Sequence, residues 1–307
     1  MQRETSGLLV IDKPVNITSA QAVAIVKKTF NLKKVGHTGT LDPFATGVLV
    51  CCINSATRLS DFLIKNKKKY EALLHLGIET DTQDLSGQII SECNEIYFSE
   101  QKIRAAFQRL VGISKQAPPV YSALKHEGVP LYKLARSGKP IHKAPRQISI
   151  ESIKVLNINL PEIHFEVTCS SGTYIRTLGA DIGTALGCGA YLKKLKRLEN
   201  NGFSITSAIN LTQIKKIASS EESDKVFSEN LVIMADVPLN MPFRMVNDTL
   251  SAMIKHGKTI TEQHIPQKKI ENKTKMIKVI DNDNNLIAIL NYDNKTKRYK
   301  YCCVFTS

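Results

Sequence analysis

Short apolar runs separated by polar turns dominate the first part of the chain. Residues Gly7–Asp12 and Gly47–Ile53 are nearly continuous apolar segments, as expected for buried strands. Between them, apolar residues recur at helical spacing from about Ala20 to Phe30, and Thr18 or Ser19 could cap this helix. The pattern therefore predicts a strand, a helix and a second strand in that order.

The same kind of pattern continues along the chain, but strands and helices do not alternate strictly. Strands are predicted at Tyr70–Gly77, Gly87–Ser91, Ile148–Leu156 and Ile163–Cys169, and helices at Ser99–Val111 and Ile175–Leu186. This order is not a regular βαβ repeat. The sequence thus predicts an α+β fold with a mixed, largely antiparallel sheet.

Three segments differ from this main pattern. Residues 115–146 carry several prolines and few long apolar runs, which predicts a surface insertion around a short helix from Pro130 to Ser137. The polar run Ser219–Asp224 predicts a linker. Beyond residue 231, short β-like runs and a turn at Asp281–Asn285 predict a small β-rich domain. We therefore expect one domain over residues 1–228 and another over 231–307.

Charge and cysteine content narrow the class of protein. The 307 residues carry a formal net charge of +14, which favours a polyanionic partner, although a solvated basic surface would explain the charge as well. The seven cysteines include the adjacent pairs Cys51–Cys52 and Cys302–Cys303 and show no zinc-site spacing, as expected for reduced thiols. No apolar run approaches membrane-spanning length, so we expect a soluble, cytoplasmic protein.

The most constrained segment is the loop Gly36–Gly47. It contains three glycines and Pro43, which directly follows Asp42 and biases that residue towards extended backbone. A carboxylate held on such a loop suits catalysis, while a tight turn with Asp42 as a helix cap is an equally good explanation. The loop lacks the G-x-x-x-x-G-K-[ST] pattern, which disfavours a nucleotide triphosphatase.

Other polar segments have both a functional and an ordinary explanation. In Ser170–Leu178, Arg176 could pair with a buried carboxylate and Tyr174 could pack on an aromatic ligand, or both could be ordinary surface and core residues. The lysine-rich runs Lys65–Ala72 and Lys193–Leu198 could contact RNA, the second as a strand or helix edge, or could simply be solvated.

Six ordered motifs together resemble the TruB family of bacterial tRNA pseudouridine synthases, which modify the T-loop uridine at tRNA position 55. The segments are Leu9–Ser19, Val35–Leu49, Lys68–Tyr70, Gly77–Gly87, Ala117–Lys125 and Ser170–Leu178. The resemblance spans roughly residues 7–210. Asn16 and Asn54 stand where the family usually has glycine, and asparagine tolerates the left-handed backbone that such positions adopt.

The resemblance implies that Asp42 is the essential catalytic residue. Its role as a nucleophile at the sugar or as a base that abstracts a sugar proton remains open. Arg176 would keep the carboxylate ionised, and Asp84 would orient Arg176. Lys13 would support the active-site backbone or the RNA.

The target uridine is stacked inside the T-loop, so the enzyme must flip the base out before it can react. The remaining candidate residues are given roles in this base flipping. By resemblance, Tyr70 stacks on the flipped uracil, Tyr174 packs behind it, and His37 fills the space that the base leaves. The insertion is expected to close over the T-loop. Its basic residues are Lys125, Lys133, Arg136, Lys139, Lys143 and Arg146.

The implied reaction needs no metal and no cofactor, and we expect none. The expected partner is the T-stem-loop of tRNA, with no membrane, and the protein is expected to be a monomer with a PUA-like RNA-binding domain at its C-terminus. Two alternatives remain open. One is a non-catalytic RNA-binding or RNA-chaperone protein, and the other is a pseudouridine synthase with a different RNA target.

Overall fold

A computed structural model describes residues 2–64, 66–217, 220–266 and 275–305. The strands, in chain order, are β1 (Gly7–Lys13), β2 (Val35–His37), β3 (Thr46–Ile53), β4 (Lys68–Leu76), β5 (Ile78–Thr80), β6 (Ile89–Glu92), β7 (Gly112–Gln116), β8 (Lys125–His126), β9 (Val129–Pro130), β10 (Arg146–Asn159), β11 (Glu162–Cys169), β12 (Ala190–Asn200), β13 (Phe203–Ser204), β14 (Ile209–Asn210), β15 (Phe243–Met245), β16 (Ile260–Thr261), β17 (Met276–Ile280), β18 (Leu286–Asp293) and β19 (Arg298–Val304). The α-helices are α1 (Ser19–Thr29), α2 (Ser60–Leu63), α3 (Glu100–Gln108), α4 (Leu131–Arg136), α5 (Ile175–Leu186), α6 (Leu211–Lys216), α7 (Ser220–Asn230) and α8 (Asp248–Lys255).

One large sheet forms the body of the first part of the chain. Its strand order is β14-β1-β3-β12-β4-β11-β10-β7, with β2 added to β3 and β13 to β12. Among the described strand pairs of this sheet, β1–β14 and β3–β12 are parallel and the others are antiparallel. The predicted α+β fold with a mixed, largely antiparallel sheet is confirmed.

Alternating burial explains how this sheet carries helices on one side. Along β4, every second residue from Lys68 to Leu76 is buried, and the residues between them are partly exposed. Helix α5 packs on the buried side, over β12. Gly183 permits this close packing, since a Cβ at that position would lie 2.3 Å from the Ala190 backbone nitrogen. The predicted strands and helices of this region are confirmed, with small differences at their ends.

The first helix shows how local sequence determines its start. Thr18, one of the two predicted caps, is the N-cap of α1 and forms a capping box with Gln21. Ser19 instead begins the helix. The backbone at Asn16 and Asn54 has φ values of 66° and 51°, so both asparagines adopt the left-handed conformation expected of them.

The predicted linker at Ser219–Asp224 is wrong. Residues from Ser220 onward form α7, while Ser219 lies outside the described residues. Phe227 of this helix is buried, and its ring centroid lies 5.3 Å from that of Phe30. Glu221 and Glu222 of the run are exposed in the first turn of this amphipathic helix, where acidic residues favour the helix N-terminus.

The C-terminal part contains a second sheet, where the short β-like runs predicted strands. Its strand order is β15-β17-β18-β19-β16, and Asp281–Asn285 makes the predicted turn between β17 and β18. Apolar side chains from both sheets share one cluster, which joins β1 and β3 to the C-terminal sheet. Its members include Leu8, Val10, Val48, Val50, Val237, Ile280, Leu286 and Ile289.

Candidate active site

The loop between β2 and β3 is fixed at several points by side chains from outside it. Ser19 Oγ accepts a hydrogen bond from the Leu41 backbone nitrogen at 2.8 Å and lies 3.1 Å from the Leu41 carbonyl oxygen. Asn201 Nδ2 donates to Thr38 Oγ1 at 2.8 Å, and both residues are buried. These bonds hold the segment that carries Asp42 in one conformation.

Lys13 lies beneath this loop and is fully buried. Its ammonium group donates to the carbonyls of Pro14 and Ile17 at 2.8 Å each and to that of Pro43 at 3.4 Å. Burial lowers the pKa of Lys13 to about 8, while Asp42 nearby acts in the opposite direction. Of the two roles expected for Lys13, the contacts therefore match support of the active-site backbone.

Arg197 closes the other end of the loop, and the sequence did not single it out. It belongs to the basic run predicted to be a strand or helix edge facing RNA or solvent, but β12 lies between β3 and β4, and Arg197 is 1% exposed. Its Nε donates to the Val48 carbonyl at 2.7 Å, and its Nη2 donates to the Gly39 carbonyl at 3.0 Å.

Gly47 makes this contact possible. Its φ is +101°, and a Cβ there would lie 2.2 Å from the Arg197 carbonyl oxygen. Bulges in β12 place Leu195 and Arg197 on the buried side. The two-residue spacing from Leu195 was the sequence signal that could have identified Arg197 as an inward-facing residue.

Asp42 and Arg176 form the central polar pair. Arg176 Nε donates to Asp42 Oδ2 at 2.9 Å, and the Asp42 side chain is 34% exposed whereas that of Arg176 is only 3% exposed. The remaining guanidinium nitrogens donate to the Thr82 carbonyl at 2.7 Å and the Tyr121 carbonyl at 2.8 Å. The cation is thus fixed by protein on all sides, while the carboxylate remains accessible.

Asp84 is a second carboxylate near the same guanidinium. Its Oδ2 lies 3.6 Å from Arg176 Nε, and its Oδ1 accepts from Thr82 Oγ1 at 2.8 Å and from the Ser86 backbone nitrogen at 2.9 Å. The Asp84 side chain is buried. Two carboxylates therefore share one arginine, and only Asp42 is open to a ligand.

Tyr70 lies beside this pair on β4. It is 7% exposed and is the register partner of Arg197, which is itself the register partner of Gly47 on β3. Burial raises the pKa of Tyr70, and the nearby Arg197 guanidinium opposes that shift. The hydroxyl therefore remains protonated at neutral pH.

Tyr174 precedes α5 and is held by residues at the two ends of the insertion. Its backbone nitrogen donates to Gln116 Oε1 at 2.8 Å, and its carbonyl accepts from Gln116 Nε2 at 3.1 Å. The Arg146 guanidinium lies 5.2 Å from the centre of the Tyr174 ring. Gln116 was not among the candidates, since a lone glutamine on a strand gives no signal in the sequence.

His37 ends β2 and is partly buried. Its Nδ1 is buried and has no hydrogen-bond partner among the described residues. Burial lowers the pKa of His37, with a further contribution from Arg197, so the ring is neutral at pH 7. The described contacts do not join His37 to the Asp42–Arg176 pair.

The lysine-rich run before Tyr70 is neither a simple solvated loop nor a row of free cations. Lys67 and Lys69 pair with Glu151 and Glu166 at 2.7 Å and 2.6 Å. Lys68 is buried, donates to the carbonyls of residues 64 and 66, and has its pKa lowered to about 8 by burial. Lys65 lies outside the described residues.

The insertion keeps the predicted short helix as α4, preceded by the β8–β9 hairpin. Among the described residues, no group of three or more histidine, cysteine, aspartate or glutamate side chains is arranged to hold a metal ion. Within the same described ranges, no helix has the length and apolar character needed to span a membrane.

Two family models match this chain. Residues 27–175 match the TruB family pseudouridylate synthase N-terminal domain, and residues 176–239 match the tRNA pseudouridylate synthase B C-terminal domain. The chain is 44% identical to tRNA pseudouridine synthase B of Syntrophotalea carbinolica, covering 73% of each chain. It is 41% identical to that of Alkaliphilus oremlandii over 85% of this chain and 84% of the relative. For that of Burkholderia pseudomallei the identity is 34%, over 94% and 93%.

Solved structures give a similar result for the whole fold. The chain superposes on one from a Cbf5-Nop10-Gar1 complex with a TM-score of 0.75 and 27% identity, covering 98% of this chain and 84% of the other. It superposes equally well, at 25% identity, on one from an H/ACA RNP bound to a substrate RNA containing 2'-deoxyuridine, covering 98% and 85%. The similarity therefore includes the C-terminal sheet.

Proposed function

Because this chain belongs to the TruB family of pseudouridylate synthases, we propose that it isomerises the T-loop uridine at tRNA position 55, with Asp42 as the essential residue. The family membership makes the chain an RNA pseudouridine synthase, with RNA as its substrate. The position in the tRNA and the roles of individual residues are the proposal.

The observation that carries the proposal is the accessible carboxylate of Asp42 beside a fully fixed guanidinium. Isomerisation breaks the N1–C1′ glycosidic bond, turns the uracil and joins C5 to C1′, so it needs one ionised carboxylate at the sugar. Arg176 stabilises that charge from a fixed position, because Nη1 and Nη2 of its guanidinium donate to backbone carbonyls. Asp42 acts either as the nucleophile at C1′ or as the base that removes a sugar proton.

The surroundings of Asp42 suit a base removed from its stack. We assign Tyr70 to the face of the flipped uracil and Tyr174 to the position behind it. His37 would enter the space that the base leaves, and its neutral ring avoids placing a charge within stacked bases. Lys13 and Asp84 act indirectly, by fixing the loop backbone and Arg176.

The two remaining regions are assigned to binding the rest of the tRNA. The insertion at about 115–146 would close over the T-stem-loop through its lysines and arginines. We propose that residues 1–228 are the catalytic domain and that 231–307 form a PUA-like RNA-binding domain, in a monomeric cytoplasmic enzyme. The presence of a second sheet, made of β15 to β19, supports a division into two domains.

A tritium-release assay tests the proposal. Unmodified tRNA labelled with tritium at uracil C5 should lose the label, because C5 exchanges its hydrogen for a bond to C1′. Mapping of the product should place pseudouridine at position 55. Tight, stoichiometric binding without tritium release would instead support the RNA-chaperone alternative, and release from another position would indicate a different RNA target.

A further inference from the structure

Arg176 is held from two sides by parts of the chain that are distant in sequence. Its Nη1 donates to the carbonyl of Thr82, in the turn between β5 and β6. Its Nη2 donates to the carbonyl of Tyr121, at the start of the insertion. The position of the guanidinium, and with it the charge that faces Asp42, thus depends on both segments.

The Tyr121 side chain ties these two segments together. Its hydroxyl donates to Asp81 Oδ2 at 3.0 Å, and Asp81 is covalently joined to Thr82. Three hydrogen bonds and the chain from 81 to 82 therefore close a ring through Arg176. Removing the hydroxyl opens this ring while leaving the aromatic side chain in place.

Tyr121 is also connected outward to the helix of the insertion. The carbonyl of Ser122 accepts from the Tyr132 backbone nitrogen at 3.1 Å, and that of Leu124 accepts from the Leu131 nitrogen at 2.7 Å. Leu131 and Tyr132 begin α4, which carries exposed basic residues. A displacement of α4 would therefore reach Tyr121 through two backbone hydrogen bonds.

We propose that Tyr121 is a positioning residue that couples closure of the insertion on RNA to the placement of Arg176 against Asp42. The proposal rests on the function proposed above, since it takes RNA as the ligand of the insertion. With the insertion seated, the Tyr121–Asp81 bond keeps the Tyr121 carbonyl on the guanidinium. Without that bond, RNA binds the same basic surface, but Arg176 loses one of its fixed acceptors more often.

The test measures the single-turnover rate of tritium release at saturating tRNA together with the tRNA dissociation constant. Tyr121→Phe is expected to lower the rate about 10-fold, the size expected for loss of a hydrogen bond to a charged group. The dissociation constant should stay within about twofold, because the basic residues are unchanged. A merely structural role would not separate these two quantities.

A double-mutant cycle makes the coupling specific. In an Asp81→Ala background, Tyr121→Phe should have less than about a twofold further effect, because the bond that it removes is already absent. Tyr292→Phe is the matched control, since it removes a tyrosine–carboxylate hydrogen bond of 2.8 Å, to Glu262, in the C-terminal sheet, and it should not change the rate.

Three outcomes would overturn the proposal: an unchanged rate in Tyr121→Phe, a change confined to the dissociation constant, or an equal loss of rate in both backgrounds. Failure of the unmodified enzyme to release tritium would refute the proposed function instead. The two failures are thus distinguishable in one set of measurements.

Discussion

The two sheets of this chain both bury cationic side chains, but they surround them differently. Beside the large sheet, Arg176 at the start of α5 contacts two carbonyls and an accessible carboxylate, Asp42. In the C-terminal sheet, Lys278 is 8% exposed and donates only to carbonyls, those of Ala235 and Val237, in the described contacts. The first arrangement leaves the Asp42 carboxylate available to a ligand. The second joins the segment with Ala235 and Val237 to the C-terminal sheet.

Two carboxylates, Asp281 and Asp42, show the same contrast. Asp281, between β17 and β18, is 5% exposed, accepts from the Asn285 backbone nitrogen at 2.8 Å and pairs with Lys255 of α8 at 3.4 Å, so its charge serves the local structure. Asp42 lies on a loop whose backbone is held by other side chains. Its carboxylate is therefore not needed to hold the loop in place. A charged side chain is thus available for chemistry where other residues already fill the structural roles around it.

The largest expected effect tests the accessible carboxylate itself. Asp42→Asn should lower the single-turnover rate by about 10⁴-fold or more, as expected for loss of an essential catalytic group. The amide has the same shape but no negative charge, so tRNA binding measured by filter retention should change little. Asp281→Asn is the matched control in the other sheet and should leave the rate intact. Near-normal pseudouridine formation by Asp42→Asn would show that this aspartate is not essential.

The second prediction concerns the cation that faces Asp42. Arg176→Lys should lower the rate about 100-fold, the usual scale for loss of a fixed electrostatic donor. A lysine keeps the charge but cannot donate in three fixed directions to Asp42, Thr82 and Tyr121. The rate at saturating tRNA is the measurement, and retention of full activity would mean that only the charge matters.

The third prediction concerns the aromatic side chain beside the pair. Tyr70→Leu should lower the rate about 10-fold or more, because base stacking on an aromatic ring is lost. Tyr70→Phe should be milder, since the ring remains. Both rates should be measured at saturating tRNA. If the two variants were equally impaired, the hydroxyl near Arg197 rather than the ring would be the important group.

The smallest effects compare two buried lysines that both bind carbonyls. Lys278→Met should leave the rate unchanged, because its contacts lie in the C-terminal unit. Lys68→Met should lower the rate only a few-fold, because Lys68 lies next to the loop that carries Asp42. A Cβ built on the loop residue Gly39 would lie 3.6 Å from Lys68 Cε. Single-turnover rates of both variants give the comparison. An equal loss in both would remove the distinction between the sheets.

Lys68 also predicts a pH dependence of stability. Its pKa is lowered by burial to about 8 from a usual value of 10.5, so between these values the unfolded chain binds the proton and the folded protein does not. The free energy of unfolding should therefore rise with pH in this window by about 1 kcal/mol per pH unit relative to Lys68→Met. Denaturant unfolding from pH 7 to pH 10 measures this slope, and parallel curves for the two proteins would contradict it.

Much of the fold was predictable because its elements have strong local signals. The apolar runs of β1 and β3 and the Thr18 cap of α1 depend on neighbouring residues alone. The helix α7 was missed because its first turn is polar, and only the packing of Phe227 against Phe30 shows which face is buried. Amphipathic helices that begin with a solvated turn are hard to distinguish from linkers by composition.

The candidate site was predictable only in part. Asp42, Arg176 and Asp84 were identified by motif, and the structure brings them within hydrogen-bond or ion-pair distance. Arg197 and Tyr121 were not identified as parts of the site. Strand order places Arg197 between the loop and Tyr70, and Tyr121 contributes a backbone carbonyl, which no residue pattern records.

The sequence by itself determined the family, the glycine-bearing loop that carries Asp42, and most strands and helices, because motifs and periodicity are local properties. Only the tertiary structure decided which charges are buried, which carbonyls receive them, and which carboxylate stays accessible. Those outcomes depend on contacts between residues far apart in the chain, such as the 134 positions that separate Arg176 from Asp42. Burial and hydrogen-bond partners, rather than residue type, then set the chemistry of each charge.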